Sequence, residues 1–263
     1  MLVAAVQYDI VWEDKPANHR KVERMLDEAE IAPGTFVLLP ELGDTGFSFN
    51  LDVTVDDRSL SWAKAQAKAR GVWIQVGYAE RGPDDRGRNC ATIITPEGEA
   101  AGTYRKVHPF SYGKEIEYFT GGDELLLSRM KEAVVCPLIC YDLRFPELWR
   151  LGVVEGAELF TIGASWPAPR QHHWRTLLIA RAIENQTCIL AVNRIGRDPH
   201  LSYLGGSIIL APDGEILAEA GSEEEVVLKA ELDFGVLRSW REKFPALNDV
   251  HRAFLGEVKT VRT

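Results

Sequence analysis

Long apolar runs and clusters of basic residues are both missing from this sequence. No stretch is apolar for the roughly 20 residues that a membrane helix needs. Residues 1–14 contain a short apolar run without a basic leader, which favours a buried strand over a signal peptide. The formal net charge is −9, and no segment has the dense Lys and Arg that nucleic acid requires. The sequence therefore predicts neither a membrane protein nor a nucleic-acid-binding protein.

Cysteine is scarce as well, with four residues in a chain of 263. So few cysteines do not make a disulfide scaffold, and we expect a reducing, cytoplasmic setting in which a thiol can act as a nucleophile. Cys136 and Cys140 are closely spaced, but no second cysteine pair or histidine cluster completes a zinc site. Neither a P-loop nor a dinucleotide-binding fingerprint is present. We expect no metal and no cofactor.

Strand-like and helix-like segments alternate along the chain. Apolar runs predict strands at residues 2–7, 35–39, 72–78, 89–95, 100–105, 133–139, 158–162, 187–193, 207–210 and 215–218. Amphipathic segments predict helices at residues 16–31, 59–70, 146–155 and 173–185. Turns at 96–99 and 211–214 complete two similar hairpins, which suggests related halves. With no low-complexity linker, residues 1–263 are predicted to form a single α/β domain of mixed sheets covered by helices.

Reactive side chains follow three of the apolar runs. Glu41 comes just after the run 35–39, Lys106 follows 100–105, and Cys140 follows 133–139. Strand ends in α/β folds are where sites are assembled, because a rigid scaffold fixes side chains that solvent can still reach. Taken alone, each residue has a commoner explanation, as a loop carboxylate, a surface ammonium or a small buried thiol. Together they place a carboxylate, an ammonium and a thiol at three strand ends.

This combination is sufficient for acyl transfer through a cysteine. A neutral thiol is a weak nucleophile, so Glu41 is predicted to take the proton of Cys140 and later to activate water. Lys106 is predicted to remain cationic and to stabilise the tetrahedral oxyanion, with the backbone N–H of Tyr141 as a second donor. In the predicted course, formation of a thioester on Cys140 releases ammonia, and hydrolysis of that thioester by water releases an acid.

Three motifs resemble those of the nitrilase, or carbon–nitrogen hydrolase, superfamily. They are Leu-Pro-Glu at 39–41 with Thr-Gly-Phe at 45–47, Tyr-Arg-Lys-Val-His at 104–108, and Cys-Tyr-Asp-Leu-Arg-Phe-Pro-Glu at 140–147. The resemblance extends from residue 6 to residue 245 and implies the Glu–Lys–Cys triad that members use. It also implies a four-layer α-β-β-α sandwich that usually forms a homodimer. Members have a second glutamate after the lysine, for which Glu115 is the first candidate and Glu117 the second.

Further segments, at 165–170, 180–186 and 241–245, are most similar to the omega-amidase branch of this superfamily. The implied activity is hydrolysis of the terminal amide of 2-oxoglutaramate or 2-oxosuccinamate to ammonia and a 2-oxo dicarboxylate. The run 144–148 is also similar to deaminated-glutathione amidases, so that activity or another aliphatic amidase is the alternative. A true nitrilase, or a non-catalytic binding module on the same fold, is a further possibility, although the triad is complete.

A substrate that carries a carboxylate needs a fixed cation besides the lysine, since an anion in a dry pocket must be paired. Arg144 and Arg170 are the candidates. For Arg144 the alternative is an ion pair with Asp142 or Glu147 that holds its own loop. Trp166 follows another apolar run and is predicted to wall the pocket, with a core or dimer-interface position as the alternative.

Overall fold

The computed structural model describes residues 1–263. The strands are β1 (Leu2–Gln7), β2 (Phe36–Leu38), β3 (Trp73–Arg81), β4 (Gly87–Ile94), β5 (Ala100–Arg105), β6 (Glu124–Arg129), β7 (Val134–Ile139), β8 (Leu159–Ala164), β9 (Cys188–Asn193), β10 (Ile195–Arg197), β11 (Ser202–Leu204), β12 (Ile208–Leu210), β13 (Ile216–Glu219), β14 (Val226–Glu231) and β15 (Lys259–Arg262). The helices are α1 (Lys15–Glu28), α2 (Leu51–Thr54), α3 (Arg58–Arg70), α4 (Glu115–Tyr118), α5 (Pro146–Val154), α6 (Gln171–Asn185) and α7 (Phe234–Lys243).

The strands form two large mixed sheets. The first sheet has the order β14-β1-β2-β3-β4-β5, and the second has the order β13-β12-β9-β8-β7-β6-β15. Strands β1, β2 and β3 run parallel at the centre of the first sheet, as β7, β8 and β9 do in the second, and antiparallel strands flank both groups. Parallel strands direct their carboxyl ends to the same edge, which is where Glu41 and Cys140 emerge.

Alternation along β1 explains how the layers stack. Successive side chains of a strand point to opposite faces of its sheet. Val3 and Ala5 belong to the apolar core shared with the second sheet, whereas Ala4 and Val6 pack in the core beneath α1 and α3. Helices α5 and α6 cover the outer face of the second sheet through Trp149, among other side chains. The predicted four-layer α-β-β-α sandwich is confirmed.

Both predicted hairpins form, and they close in the same way. In the first hairpin, Thr95 N donates to Glu99 O at 2.8 Å, and Gly98 takes a positive φ of 85°. In the second, Ala211 N donates to Glu215 O at 2.9 Å, and Gly214 has a φ of 88°. Positive φ favours glycine because it has no Cβ. Each hairpin ends in an edge strand, β5 in the first sheet and β13 in the second.

Local capping sets the bounds of the helices. The Asp14 side chain accepts from Ala17 N at 3.0 Å and begins α1, which ends at Glu28. The predicted end at residue 31 was therefore wrong, because Glu30 already has a φ of 50° and leaves the helical conformation. Helix α3 ends at residue 70, as predicted, since Gly71 takes the left-handed conformation.

Three strands of the two large sheets and one long helix were not predicted from the sequence. They are β6, β14, β15 and α7. Strand β14 pairs antiparallel with β1, and β15 pairs parallel with β6, so both depend on partners far away in the sequence. No helix of the structure is long and apolar enough to cross a membrane.

Candidate active site

The three side chains predicted from strand ends meet at one buried point between the sheets. Glu41 lies three residues after β2, Lys106 directly follows β5, and Cys140 directly follows β7. Lys106 Nζ donates to Glu41 Oε1 at 2.6 Å, and both side chains are almost fully buried. The Cys140 thiol lies beside the Glu41 carboxylate, whose charge acts on it. Two of these residues come from the first sheet and the third from the second.

Glu115 joins this group from the first turn of α4. Its Oε2 accepts from Lys106 Nζ at 2.9 Å and from the backbone N–H of Phe110 at 2.5 Å. Glu117, the other candidate, is exposed two residues further along the helix. The ammonium of Lys106 therefore lies between two buried carboxylates, and one positive charge faces two negative ones.

Asn89 is a member of the site that sequence reasoning missed. It lies near the start of β4, and its Nδ2 donates to Glu41 Oε1 and to Glu115 Oε1, at 2.9 Å each. Its backbone carbonyl accepts from Lys106 N at 2.8 Å. An asparagine at a strand start has many structural uses, so only the three-dimensional contacts identify this one.

Charge and burial oppose each other in this group. Burial alone would lower the pKa of Lys106, but the carboxylates of Glu115 and Glu41 outweigh it, so the pKa is raised and the amine stays cationic. For Glu115, burial raises the pKa, and the charge of Glu41 adds to that effect, while Lys106 and the hydrogen bond from Asn89 oppose it. The site therefore keeps a fixed cation, Lys106, beside a carboxyl group, Glu115, that binds a proton more readily than usual.

Cys140 has a strained backbone and a protonated thiol. Its φ is 43°, in the left-handed region that non-glycine residues seldom occupy and that often marks functional positions. Burial raises the pKa of the Cys140 thiol well above its ordinary range, and the charge of Glu41 raises it further, against a smaller opposing effect of Lys106. The resting thiol is therefore neutral, and its activation requires a proton acceptor at the site.

The position of Glu41 is fixed from both sheets. Its Oε2 accepts from the backbone N–H of Ser165 at 3.0 Å, just beyond β8 of the second sheet. Two glycines, Gly77 in β3 and Gly163 in β8, let the chain around Glu41 pass close to both strands. A Cβ at Gly163 would lie 2.7 Å from Leu39 O, and one at Gly77 would overlap Pro40 O.

Asp142 connects the turn that begins at Cys140 to the loop that carries Lys106. Its Oδ2 accepts from Tyr104 Oη at 2.8 Å and from Ile139 N at 3.1 Å. Its Oδ1 accepts from His108 N at 3.1 Å and lies 3.0 Å from His108 Nδ1. The carboxylate is fully buried and links both sides of Lys106 to the turn that begins at Cys140.

A pocket with an empty volume of about 380 Å³ opens onto Cys140 and Lys106. Most of its wall is apolar or aromatic, and its polar side chains include three cations but no acidic residue. The lining residues are Phe47, Lys106, Phe110, Cys140, Tyr141, Arg144, Ser165, Trp166, Pro167, Arg170, Leu201 and Tyr203. A wider outer pocket of about 1260 Å³ shares Phe47, Phe110, Arg170 and Leu201 with it. The inner pocket thus has an aromatic entrance.

The structure brings the predicted binding residues Tyr141, Arg144, Trp166 and Arg170 to the same pocket. The Arg144 guanidinium carbon lies 4.6 Å from the centre of the Trp166 ring, and its nitrogens lie 3.3 and 3.4 Å from His173 Nδ1. Trp166 is both buried and part of the wall.

The alternative role of Arg144 as an ion-pair partner within its loop was wrong. Asp142 is already bound to Tyr104 and His108, and Glu147 is exposed at the start of α5. Arg144 forms no ion pair with either residue. Burial lowers the pKa of Arg144, and the like charge of Arg170 contributes to the same shift. Both guanidinium groups therefore lack a carboxylate partner.

No three His, Cys, Asp or Glu side chains are arranged to hold a metal ion. Cys136, whose spacing from Cys140 resembles half of a zinc motif, is buried in β7 and faces the apolar core.

Comparison with known proteins gives consistent matches along the chain. A family model described as carbon–nitrogen hydrolase matches residues 2–242. A protein named 2-oxoglutaramate amidase from Bacillus subtilis (strain 168) is 37% identical over 95% of this chain and 97% of its own length. Omega-amidase YafV from Escherichia coli (strain K12) is 34% identical over 94% of this chain and 95% of its own.

Solved structures agree with these sequence matches. XC1258 from Xanthomonas campestris, described as a CN-hydrolase superfamily protein with an arsenic adduct in the active site, is 31% identical to this chain. It superposes with a TM-score of 0.89 and covers 95% of this chain and 97% of that one.

Proposed function

The chain belongs to the carbon–nitrogen hydrolase family, and we propose that it is an omega-amidase that hydrolyses the terminal amide of small 2-oxo acid amides. The preferred substrates are 2-oxoglutaramate and 2-oxosuccinamate, and the products are ammonia and a 2-oxo dicarboxylate. The names of the Bacillus subtilis and Escherichia coli relatives support this choice.

One observation carries the proposal: Arg144 and Arg170 line the pocket of Cys140 without a carboxylate partner. Two neighbouring guanidinium groups in a largely apolar pocket repel one another, and a bound anion relieves that repulsion. Arginine presents a planar fork of donors that binds carboxylate and carbonyl oxygens together. The 2-oxo acid end of the substrate offers three such oxygens, and its amide end extends to Cys140.

Acylation uses the groups around Cys140. Glu41 takes the thiol proton as Sγ attacks the amide carbon, and the carbonyl oxygen becomes an oxyanion. Lys106 Nζ and the backbone N–H of Tyr141 stabilise that charge. Glu41 then gives the proton to the amide nitrogen, the carbon–nitrogen bond breaks, and ammonia leaves a thioester on Cys140. Glu115 holds Lys106 on the side away from Glu41.

Deacylation repeats the same steps with water. Glu41 takes a proton from the water molecule as its oxygen attacks the thioester carbonyl, and Lys106 again binds the oxyanion. Collapse of this intermediate breaks the carbon–sulfur bond and releases the 2-oxo acid. The proton on Glu41 returns to Cys140 and restores the neutral thiol.

The test is ammonia release from three five-carbon amides. 2-Oxoglutaramate has both the 2-oxo group and the carboxylate, glutaramate lacks the 2-oxo group, and pentanamide lacks both. We expect kcat/KM to fall in that order, because each step removes oxygens that the arginines bind. Equal turnover of pentanamide and 2-oxoglutaramate would contradict the proposed substrate class but not amide hydrolysis.

A second candidate is an amidase for longer, peptide-like acyl groups such as deaminated glutathione. The outer pocket favours it, because aromatic side chains including Trp12, Phe49 and Tyr112 extend the wall beyond the inner pocket. A peptide-like amide added to the same assay separates the two candidates. Faster turnover of the longer amide than of 2-oxoglutaramate would favour the second.

We also propose a cytoplasmic homodimer or higher homo-oligomer in which residues 1–263 act as one domain. All four cysteines are free, which supports a reducing setting. Large apolar side chains lie exposed at Ile183, Phe244 and Phe254, which supports an interface between copies. Both sheets supply residues to one site, which supports a single domain. Light scattering after size exclusion measures the assembly directly.

A further inference from the structure

Asn89 occupies a position equivalent to that of Lys106 on the other side of two carboxylates. Lys106 Nζ contacts Glu41 Oε1 and Glu115 Oε2, while Asn89 Nδ2 contacts Glu41 Oε1 and Glu115 Oε1. The four side chains form a closed ring of hydrogen bonds, and Asn89 is only 2% exposed. The ring fixes the position of both carboxylates relative to each other.

The ring has a consequence for the individual oxygen atoms of Glu41. An ionised carboxylate has about four lone-pair positions, two on each oxygen. Oε1 uses both of its positions, for Lys106 and for Asn89, whereas Oε2 uses one, for Ser165 N. One position on Oε2 is free. The Cys140 thiol interacts with the Glu41 carboxylate and with the backbone of Ser165, whose N–H donates to this same oxygen. Only Oε2 can accept another proton without breaking the ring.

The orientation of the Asn89 amide is also determined. Turning it over would point Oδ1 at two carboxylate oxygens, which repel it, so Nδ2 must face Glu41 and Glu115. In this orientation Oδ1 is buried and has no hydrogen-bond partner. A buried polar atom without a partner is unfavourable, and a residue that served packing alone would be expected to avoid it.

We propose that Asn89 is a positioning residue that, with Lys106, saturates Oε1 of Glu41, so that the proton of Cys140 passes to Oε2. This inference rests on the proposed amide hydrolysis. The side chains that face the pair of carboxylates are Lys106 after β5, Cys140 after β7 and Asn89 in β4, and the backbone N–H groups of Ser165 and Phe110 also donate to the pair. Of these side chains, Asn89 donates to both carboxylates without adding charge.

The test uses Asn89→Asp, which keeps the volume, and Asn89→Ala, which removes the side chain. We expect kcat to fall at least about tenfold in both, within the roughly 10²–10⁴ that positioned proton transfer contributes, with KM changed less than about threefold. The acidic limb of the kcat/KM profile should move to higher pH, by about one unit in Asn89→Ala and further in Asn89→Asp. The added carboxylate in Asn89→Asp opposes ionisation of Glu41 more strongly than the loss of a hydrogen-bond donor in Asn89→Ala does.

Thr92→Val is the matched control, because it removes buried hydrogen bonds to Tyr78 and Thr103 from the same strand without touching the site. It should retain the wild-type kcat and pH profile. Unchanged kcat and pH limb in folded Asn89 variants would overturn the inference, and so would failure of both variants to fold, which would assign Asn89 to folding.

The assay uses whichever amide the wild-type enzyme hydrolyses fastest, so an error in the proposed acyl group does not affect it. If wild-type enzyme hydrolyses no amide, the proposed function itself fails. If wild-type enzyme is active and the Asn89 variants match it, only the role of Asn89 fails.

Discussion

Tyr104 donates its hydroxyl hydrogen to Asp142 across 2.8 Å, and this bond joins the two sheets beside the site. Tyr104 belongs to β5 of the first sheet, and Asp142 lies in the turn after β7 of the second. Since Asp142 also binds His108 N, the loop that carries Lys106 is attached on both sides to the turn that begins at Cys140. The distance between Cys140 and Lys106 therefore depends on the bond between Tyr104 and Asp142, neither of which lines the pocket.

Replacing Tyr104 with phenylalanine should therefore affect both stability and catalysis. The change removes a buried hydrogen bond to a charged acceptor, and we expect the free energy of unfolding to fall by about 1.5–3 kcal/mol. It also frees the Lys106 loop, so kcat should fall. Tyr78→Phe is the control, since it removes a buried bond to neutral Thr92 and should cost about 0.5–1.5 kcal/mol with kcat unchanged. Urea denaturation and ammonia release measure the two effects, and equal kcat values in the two variants would contradict this role.

Cys140→Ala should fold and release no ammonia above background, because the nucleophile is removed while the apolar packing is kept. Cys136→Ala is the control: it removes a thiol four residues earlier in β7, which points into the core. It should lose some stability but keep its turnover number. Glu41→Gln should be nearly inactive as well, since the base is lost but the shape is retained. Activity in Cys140→Ala would exclude the thioester route.

Arg144→Met and Arg170→Met should each weaken the use of 2-oxoglutaramate but not of pentanamide. Methionine keeps most of the apolar stem and removes the charge. If the guanidinium binds the substrate carboxylate, kcat/KM should fall at least about 30-fold, which corresponds to about 2 kcal/mol for a desolvated charge pair. Arg175→Met, which changes an ion pair with Glu219 on the outer surface, is the control. Equal losses of kcat/KM for both amides would mean that the arginines shape the pocket and do not bind the substrate carboxylate.

Local patterns in the sequence were sufficient for most of the fold. Apolar runs located the central strands because both faces of these strands are buried, as in β8, where all six residues are buried. The strands β14 and β15 were missed because they lie at sheet edges, carry charges such as Lys229 and Lys259, and form only against distant partners. Helix α7 was also missed, although Asp233 caps it in the usual way and could have indicated its start.

The residues of the site also divide into those that the sequence predicted and those that it did not. Glu41, Lys106 and Cys140 could be named because each follows an apolar run, and the family motifs added Glu115. Asn89 could not be named, because its role arises from carboxylates 48 and 26 residues away in the sequence. The partner of Arg144 was uncertain for a similar reason: Asp142 and Glu147 were near in sequence, whereas Trp166 and His173 are near in space.

The pH dependence of kcat/KM should show a displaced acidic limb. Burial raises the pKa of Glu115 above its ordinary 4.5, so Glu115 takes up a proton as the pH falls through that raised value and its charge no longer holds Lys106. As the pH is lowered, activity should therefore begin to fall while the pH is still above 4.5. On the alkaline side, the carboxylates raise the pKa of Lys106 above 10.5, so the lysine produces no limb below that pH. A profile that keeps full activity down to pH 4.5 would contradict this account.

The glycine at position 163 should be important for catalysis although it carries no functional group. A Cβ there would lie 2.7 Å from Leu39 O and 3.1 Å from Glu41 N, so Gly163→Ala must displace the backbone that carries Glu41. A displacement of about 1 Å can reduce the rate on the order of 10²-fold, and we expect kcat to fall by that order with KM little changed.

Gly152→Ala in α5 is the matched control for that substitution, because its Cβ would overlap the Phe160 side chain to a similar degree, at 2.8 Å, but far from Glu41. Overpacking should lower its free energy of unfolding by about 1–3 kcal/mol and leave kcat unchanged. Equal stability losses with a loss of kcat only in Gly163→Ala would demonstrate that the backbone of β8 positions the base. A normal kcat in Gly163→Ala would contradict this account, because it would mean that the Glu41 turn can shift without effect on catalysis. The hydrogen bond from Ser165 N to Glu41 Oε2 would then not be what positions the base.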